Sequence, residues 1–223
     1  KPVFFWGEDK PFYWLKASLH ENKYWFKQLD RPVKFSLIWL LAIQALTFIY
    51  LIFTIPYHYD EAWTYTNFCG NSIISTLTYY PAPNNHILFN LIANYTLYLP
   101  IDEIIAIRLP SYVASLFATW YFFKLVAKLF SNSISLLCSL LFTFSYCIII
   151  YSIQARGYAL LVFFSLMCIY AFANIVAGRQ VNKYLVVYSL APIGGSVSIP
   201  SFLYFYLSAS LVLFFILLIS KRF

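Results

Sequence analysis

The sequence has few charged residues for its length and very few acids. Only 10% of its 223 residues are charged and 62% are hydrophobic, whereas about a quarter of a soluble domain is charged. All eight acids lie at or before Glu103, and four of these fall outside the N-terminal segment: Asp60, Glu61, Asp102 and Glu103. This composition excludes an ordinary soluble domain. Because a carboxylate near a membrane is costly to place, each one is a candidate for chemistry.

The sequence also lacks the short motifs that mark many soluble enzymes and metal proteins. It has no CxxC, no His/Cys metal spacing, no Walker or Rossmann glycine pattern and no GxSxG. Cys138, Cys147 and Cys168 lie in apolar stretches, where cysteine behaves as a small hydrophobe. Cys69 stands alone in a loop, so no disulfide is expected. More than thirty residues, many of them charged, precede the first apolar run, which argues against a cleavable signal peptide.

Long apolar runs predict the fold class. A helix needs about 20 apolar residues to cross the ~30 Å hydrocarbon layer. Six runs approach that length, and the fifth, which ends in Gly194–Gly195, is the weakest. The six predicted spans are about 35–55, 109–130, 133–153, 157–177, 183–197 and 200–220. We therefore expect an all-α integral membrane protein with about six transmembrane helices.

The basic residues predict an orientation. Thirteen of the fifteen fall on one side of the membrane if the N-terminus is cytoplasmic, which is the side that the positive-inside rule assigns to the cytoplasm. Only Arg108 and Arg156 lie on the other side. The net charge of +7 therefore reflects membrane topology, and no nucleic-acid partner is expected.

Residues 1–34 are predicted to form a cytoplasmic interfacial segment ahead of a transmembrane domain that covers 35–223. Within this segment, residues 11–29 fit an amphipathic helix with Pro11 at its first position. A basic and aromatic amphipathic helix lies in the headgroup layer of a membrane. An anchor on membrane lipid is the plainer interpretation, and docking of a membrane-protein partner is the alternative.

The loop between the first two spans carries most of the polar residues. Residues 60–69 suit a short helix with Asp60 at its N-cap, and residues 84–99 suit a second helix. The second helix has an apolar stripe made of Leu88, Leu91, Ile92, Tyr95 and Leu99. Two half-buried juxtamembrane helices would wall a cavity above the bilayer. Asp102 and Glu103 are interpreted as a solvated helix end.

The predicted topology brings residues that are far apart in the sequence to one membrane level. Asp60, His86 and Arg108 lie in or beside the first outer loop, and Arg156 follows the third span. Each residue also has a plainer interpretation. Asp60 could only cap a helix, and His86 could only order the preceding turn. The two arginines could contact lipid phosphates.

Four segments occur in an order and spacing that resemble a known family. They are Asp60–Glu61, Pro83-Asn84-Asn85-His86, Arg108-Leu109-Pro110-Ser111, and Tyr151-Ser152 with Ala155-Arg156-Gly157-Tyr158. Together they resemble the GT-C glycosyltransferases of the protein O-mannosyltransferase and aminoarabinose-transferase superfamily. The resemblance covers about residues 35–220.

This resemblance implies an inverting enzyme that transfers a sugar from a polyprenyl-phosphate donor to an acceptor hydroxyl. The reaction would take place at the periplasmic face of a bacterial cytoplasmic membrane. Asp60 would be the catalytic base, because this chemistry needs a carboxylate within reach of the attacking oxygen, and Glu61 would orient it or contact the acceptor. The residues expected to bind the donor phosphate or other parts of the substrate are Arg156, Arg108, His86, Asn85 and Tyr158.

Two departures from the family pattern keep an alternative open. Family members often carry Glu where this chain has Gln154, so no metal or other cofactor is expected beside the sugar-bearing lipid. They also usually continue through more spans, so we expect this chain to be truncated at its C-terminus. The alternative is a non-catalytic membrane subunit of a larger complex, built on the same scaffold.

Overall fold

A computed structural model describes residues 25–80 and 85–220, and the described residues are mostly helical. The long helices are α1 (Arg31–Thr54), α5 (Glu103–Val126), α8 (Tyr158–Val176), α9 (Val181–Ser198) and α10 (Phe202–Ile219). Shorter helices connect them: α2 (Tyr59–Thr64), which continues into a π-helix (Tyr65–Cys69), then α3 (Ile73–Thr78), α4 (Ile87–Thr96), α6 (Asn132–Thr143) and α7 (Tyr146–Ile153). No strand occurs in this part of the chain, which confirms the all-α class.

The number of membrane-spanning helices differs from the predicted six. Within the described ranges, four helices are long and apolar enough to cross a membrane, namely α1, α5, α8 and α10. Helices α6 and α7 qualify together as a fifth, broken span, with a bend of 61° between them. Helix α9 coincides with the weakest predicted span and has 18 residues, but its composition is less apolar. The count of six is therefore not confirmed.

Helix α5 is the centre of the bundle. Helices α1, α4, α6, α7 and α8 all pack against it. Its buried face is built largely from small residues, which include Ala106, Ser111, Ala114, Ser115, Ala118 and Thr119. Small side chains let helix backbones approach closely, which is how helices associate in lipid. Hydrogen bonds add to this packing, since Gln44 of α1 donates to Ser115 and Thr143 of α6 pairs with Thr119.

Large apolar side chains cover much of the outside of the bundle. On α1 the exposed ones include Phe35, Trp39, Leu46 and Phe53, and on α10 they include Tyr204, Leu207, Leu211 and Phe215. A soluble protein rarely exposes apolar patches of this size. Contact with lipid removes that cost, so large apolar side chains can cover the outside of the bundle, while its inside combines polar and small residues with buried aromatics such as Phe48 and Phe123.

Helix α4 buries the face opposite to its apolar stripe. Its buried residues are Phe89, Asn90, Ala93 and Asn94, whereas the leucine-rich stripe is half-buried or exposed. The amide of Asn94 donates to the carbonyl oxygens of Cys69 and Asn71, at 2.9 and 2.7 Å. The inward asparagine therefore joins α4 to the end of the π-helix. In the apolar stripe, Leu88 and Ile92 pack at the edge of the core, and Tyr95 and Leu99 are exposed.

Only the last turn of the predicted interfacial helix lies within the described residues. Residues 25–28 are helical, and the Trp25 ring lies 5.4 Å from that of Trp120 and 5.9 Å from that of Phe123. This turn therefore packs against the C-terminal half of α5. The rest of the predicted helix, and with it the proposed anchor or partner site, lies outside the described residues.

The two ends of the bundle differ in charge. Lys124, Lys128 and Arg179 line a cavity of about 540 Å³ where α5 and α8 end. Of the five described acids, Asp30 precedes α1 at the basic end, and the other four lie at the opposite end, where α1 ends and α5 begins: Asp60, Glu61, Asp102 and Glu103. This separation is what the positive-inside rule requires if the basic end faces the cytoplasm. The orientation itself stays a prediction.

Candidate active site

Asp60 and Glu61 lie in the first turn of α2, and His58 caps this turn. His58 Nδ1 accepts a hydrogen bond from Asp60 N–H at 3.3 Å, and Glu61 Oε2 accepts one from His58 N–H at 3.0 Å. This reciprocal arrangement is a capping box. The N-cap is therefore His58, and the prediction of Asp60 as N-cap is wrong. Because neighbouring helical residues diverge, Glu61 points inward with 1% exposure while the Asp60 side chain remains 49% exposed.

Glu61 joins three distant segments of the chain. Its carboxylate accepts two parallel hydrogen bonds from Arg108, Nε to Oε1 at 2.9 Å and Nη2 to Oε2 at 2.7 Å. Oε1 also accepts from the backbone N–H of Ala155 at 2.7 Å. A bidentate pair of this kind is among the stronger polar contacts in proteins. Glu61 therefore ties α2 to α5 and to the link between α7 and α8.

Arg108 has no donor left for a ligand. A guanidinium has five N–H groups, and those of Arg108 that do not bond Glu61 donate to the carbonyl oxygens of Ile52, Ile55 and Pro56, at 2.7, 3.0 and 3.1 Å. These carbonyls end α1, where backbone acceptors lack partners within the helix. With only 1% exposure, Arg108 caps α1 and neutralises Glu61. These contacts favour a structural role over the expected phosphate-binding role.

Arg156 faces Asp60 across the site. Their Nη1 and Oδ2 atoms are 3.2 Å apart, and the Arg156 side chain is 8% exposed. Its Nε is buried without a hydrogen-bond partner, and its Nη1 makes the ion pair with Asp60 but no hydrogen bond. Ser111 holds the backbone by donating its hydroxyl to the Arg156 carbonyl at 2.9 Å. Arg156 is thus a buried cation with an unpartnered Nε donor beside a half-exposed carboxylate, an arrangement that suits an anionic ligand.

His86 lies next to Arg156 and is 5% exposed. Its Nδ1 is 3.2 Å from the carbonyl oxygen of Ser198, and its Nε2 is buried without a partner. Burial, followed by the nearby charge of Arg156, lowers the pKa of His86 to about 4. The ring meets Tyr158 edge to face at 5.3 Å, and Tyr158 in turn stacks on Tyr151 at 4.8 Å.

Gly157 allows this close packing. A Cβ at position 157 would lie 3.0 Å from the Cβ and 3.1 Å from the Cγ of His86. Those distances are shorter than ordinary carbon contacts, which begin at about 3.5 Å. Any side chain at this position would push the His86 ring away from Ser198 or from Arg156.

Asn85, which lies just before α4, joins this part of the chain to the end of α3. It is 3% exposed, and its amide donates to the carbonyl oxygens of Thr76 and Tyr79 at 3.0 and 3.1 Å. Its Oδ1 accepts from the amide of Asn90 at 2.8 Å. These contacts use the hydrogen-bonding groups of the Asn85 amide, so they favour a role in ordering the loop over contact with substrate.

The predicted site residues thus separate into two groups. Asp60, Arg156, His86 and Tyr158 come together at one end of the bundle. The structural contacts beside them are made by Glu61, Arg108 and Asn85. Sequence reasoning missed three residues that shape the site, namely His58, Gly157 and Ser198. The His58-x-x-Glu61 spacing is a signal for the cap, whereas nothing local in the sequence connects Ser198 to His86.

No group of three or more His, Cys, Asp or Glu side chains converges as a metal site among the described residues. The expectation that the protein needs no metal remains a prediction.

The fold and the site define a multi-pass membrane protein with an acid–guanidinium site at one end of its helix bundle. A family model described as dolichyl-phosphate-mannose-protein mannosyltransferase matches residues 83–223, and the chain belongs to this family. This confirms the resemblance to GT-C glycosyltransferases. The matched range contains His86, Arg108 and Arg156 but begins after Asp60. No curated protein and no solved structure gave a significant match.

Proposed function

We propose that the protein is a glycosyltransferase that uses a polyprenyl-phosphate sugar and transfers the sugar to an acceptor hydroxyl. The observation that carries this proposal is the contact of 3.2 Å between Asp60 and Arg156, which joins a half-exposed base to a buried cation. Family membership supports the reaction class. The charge separation along the bundle supports a site on the periplasmic face of a bacterial cytoplasmic membrane, away from the basic end.

The proposed chemistry is a single displacement. Asp60 takes the proton of the acceptor hydroxyl while the acceptor oxygen bonds to the anomeric carbon of the sugar. The bond between that carbon and the phosphate oxygen breaks, and its electron pair leaves with the polyprenyl phosphate. A double displacement would need a second accessible carboxylate as nucleophile. Because Glu61 is enclosed by its four hydrogen bonds, the site favours inversion at the anomeric carbon.

Arg156 would stabilise the leaving group. Negative charge develops on the phosphate as the glycosidic bond breaks, and preformed donors aimed at such charge are an effective form of catalysis. Arg156 has a donor without a partner at Nε, and its Nη1 is ion-paired with the proposed base. We assign Glu61 and Arg108 as positioning residues, because they pair with each other and form hydrogen bonds with the backbone.

The test is transfer by Asp60→Asn, measured in liposomes with polyprenyl-phosphate mannose and a panel of hydroxyl acceptors. Removing a general base costs about 10²–10⁴-fold, so turnover should fall by about that factor while expression and unfolding temperature stay unchanged. Asp102→Asn is the matched control, because Asp102 caps α5 and lies outside the site. Turnover by Asp60→Asn at the wild-type rate would remove the proposed base. A stable stoichiometric complex with another membrane protein, together with no donor binding, would support the non-catalytic subunit.

A further inference from the structure

His86 has one ring nitrogen engaged and the other buried without a partner. The carbonyl oxygen of Ser198 can only accept a hydrogen bond, so the contact of 3.2 Å requires the hydrogen on His86 Nδ1. In a neutral imidazole, the other nitrogen then carries a lone pair. Nε2 is therefore a hydrogen-bond acceptor whose side chain is 95% buried, and it has no donor in contact.

The surroundings keep the ring neutral at physiological pH. Burial and the adjacent Arg156 guanidinium both disfavour a second positive charge, and they lower the pKa of His86 to about 4. A neutral ring of this tautomer cannot donate from Nε2. It is therefore unsuited to a phosphate oxygen, which at that position could only accept.

Arg156 and His86 thus offer opposite hydrogen-bonding chemistry in one place. Arg156 presents an N–H donor without a partner at Nε, and His86 presents an acceptor without a partner. An ionised phosphodiester carries acceptors only, so it complements Arg156 and not His86. A sugar carries hydroxyl groups that donate. Leaving a buried acceptor unpaired costs about 1–3 kcal/mol, and a ligand hydroxyl would remove that cost.

We infer that His86 Nε2 accepts a hydrogen bond from a hydroxyl of the transferred sugar, while Arg156 binds the adjoining phosphate. The inference rests on the proposed function and gives His86 a part in recognising the sugar, in place of the phosphate contact expected from sequence. The Nε2 atom is closed to solvent, so a neighbouring side chain must move to admit the hydroxyl. Tyr158 is the neighbour that would move, since its ring is half-buried and meets the His86 ring at 5.3 Å.

The tautomer is tested first, by NMR of ¹⁵N-histidine in the full-length protein in lipid nanodiscs. The chain has three histidines, and the signal lost in His86→Gln identifies His86. At neutral pH we expect a protonated Nδ1 and an unprotonated Nε2. A signal with the hydrogen on Nε2, or a doubly protonated ring, would overturn the inference. This measurement needs no enzyme activity, so its failure is separate from failure of the proposed transfer reaction.

The ligand is tested next, with a short-chain polyprenyl phosphate that carries mannose or glucose and with the same lipid phosphate without a sugar. The glycosylated lipids should shift the Nε2 signal of His86, and the bare lipid phosphate should leave it unchanged. An equal response to both kinds of lipid would mean that His86 reports on the phosphate. No response to any lipid would mean that Nε2 meets only Arg156 or a bridging water. Either result overturns the inference.

A substitution at His86 tests the roles of Nδ1 and Nε2 separately. His86→Asn keeps an amide N–H for the Ser198 carbonyl but lacks an acceptor where Nε2 lies. We expect its affinity for the glycosylated lipid to fall by about tenfold to a hundredfold, which corresponds to the free energy of one hydrogen bond to a buried group. Its affinity for the bare lipid phosphate should stay at the wild-type value. Tyr98→Phe, at an exposed position, is the control. A parallel loss for both lipids would assign His86 to structure alone.

Discussion

Ala155 and Glu61 are joined by a hydrogen bond of 2.7 Å, in which the backbone N–H of Ala155 donates to Glu61 Oε1. Ala155 immediately precedes Arg156, and Glu61 immediately follows Asp60. One buried carboxylate therefore sets the position of the proposed phosphate-binding arginine relative to the proposed base. Because Glu61 also holds Arg108, this relationship is fixed to the end of α1 and to α5.

The first prediction concerns the buried ion pair. Glu61→Gln should destabilise the protein by about 3–5 kcal/mol, because it leaves the Arg108 charge buried without its counter-ion. Unfolding in mixed micelles measures the change. Glu103→Gln is the control, since the exposed Glu103 only accepts a hydrogen bond of 2.9 Å from Tyr65, and its loss should be about 1 kcal/mol or less. Equal losses in the two variants would contradict the assignment of Glu61 as a structural tie.

Arg108 and Arg156 should respond differently to replacement by lysine. Arg108→Lys should lower stability strongly, because three ammonium donors cannot replace the fork that bonds Glu61 and three carbonyls. Arg156→Lys should fold normally but transfer sugar about tenfold to a hundredfold more slowly, because the charge remains and the planar donors are lost. Unfolding temperature and initial rate, measured on both variants, decide between the two roles. The reverse pattern would show that the roles are exchanged.

His86 should contribute to the pH dependence of stability. Its pKa is about 4 in the folded protein, against about 6.5 in an unfolded chain. As the pH falls, the unfolded chain therefore binds the proton first. The contribution is fully present above about pH 6.5 and is lost progressively down to about pH 4, for a total of about 3 kcal/mol.

Stability curves of wild type and His86→Gln test this prediction. The variant lacks the titrating group, so the difference between the two proteins should change between about pH 7.5 and about pH 4.5. The wild type should lose more stability over this interval than the variant does. Parallel curves would show that the His86 pKa is not lowered in the folded protein.

Gly157→Ala should impair the site more than the fold. The new Cβ would lie 3.0 Å from the Cβ of His86, and the histidine must shift to relieve the overlap. We expect a fall of about tenfold in kcat/KM for sugar transfer, which corresponds to about 1.4 kcal/mol, with little change in unfolding temperature. Ser201→Ala, at an exposed position between α9 and α10, should leave both unchanged. Wild-type transfer by Gly157→Ala would show that the position of His86 does not matter.

Much of the fold follows from patterns within single segments. The apolar runs predicted the helices because hydrocarbon requires a long, internally hydrogen-bonded segment. The weakest run became α9, a helix that falls short of the composition of a span. The apolar stripe of α4 could not reveal which face is buried, since in lipid the polar side of a helix packs inward. That face was decided by Asn94 and its contacts with the π-helix.

The sequence predicted which residues form the candidate site but not the role of each residue there. The order of the motifs around Asp60, His86, Arg108 and Arg156 was sufficient to group these residues. Arg108 and Arg156 are equivalent by residue type and by predicted membrane level, yet Arg108 is saturated by Glu61 and the end of α1 while Arg156 keeps a free donor at Nε. Hydrogen-bond partners depend on the relative placement of helices, which short-range sequence patterns do not encode.

The sequence by itself determined that this chain is a helical membrane protein, and it predicted that four of its eight acids and two arginines lie at one end, because composition, run length and charge act locally. Only the tertiary structure decided that Glu61 is buried and linked to Arg108 while the Asp60 side chain stays partly exposed, since adjacent residues on a helix point in different directions. It also decided that His86 offers a lone pair, because the single acceptor that fixes its tautomer comes from Ser198, at the far end of the chain.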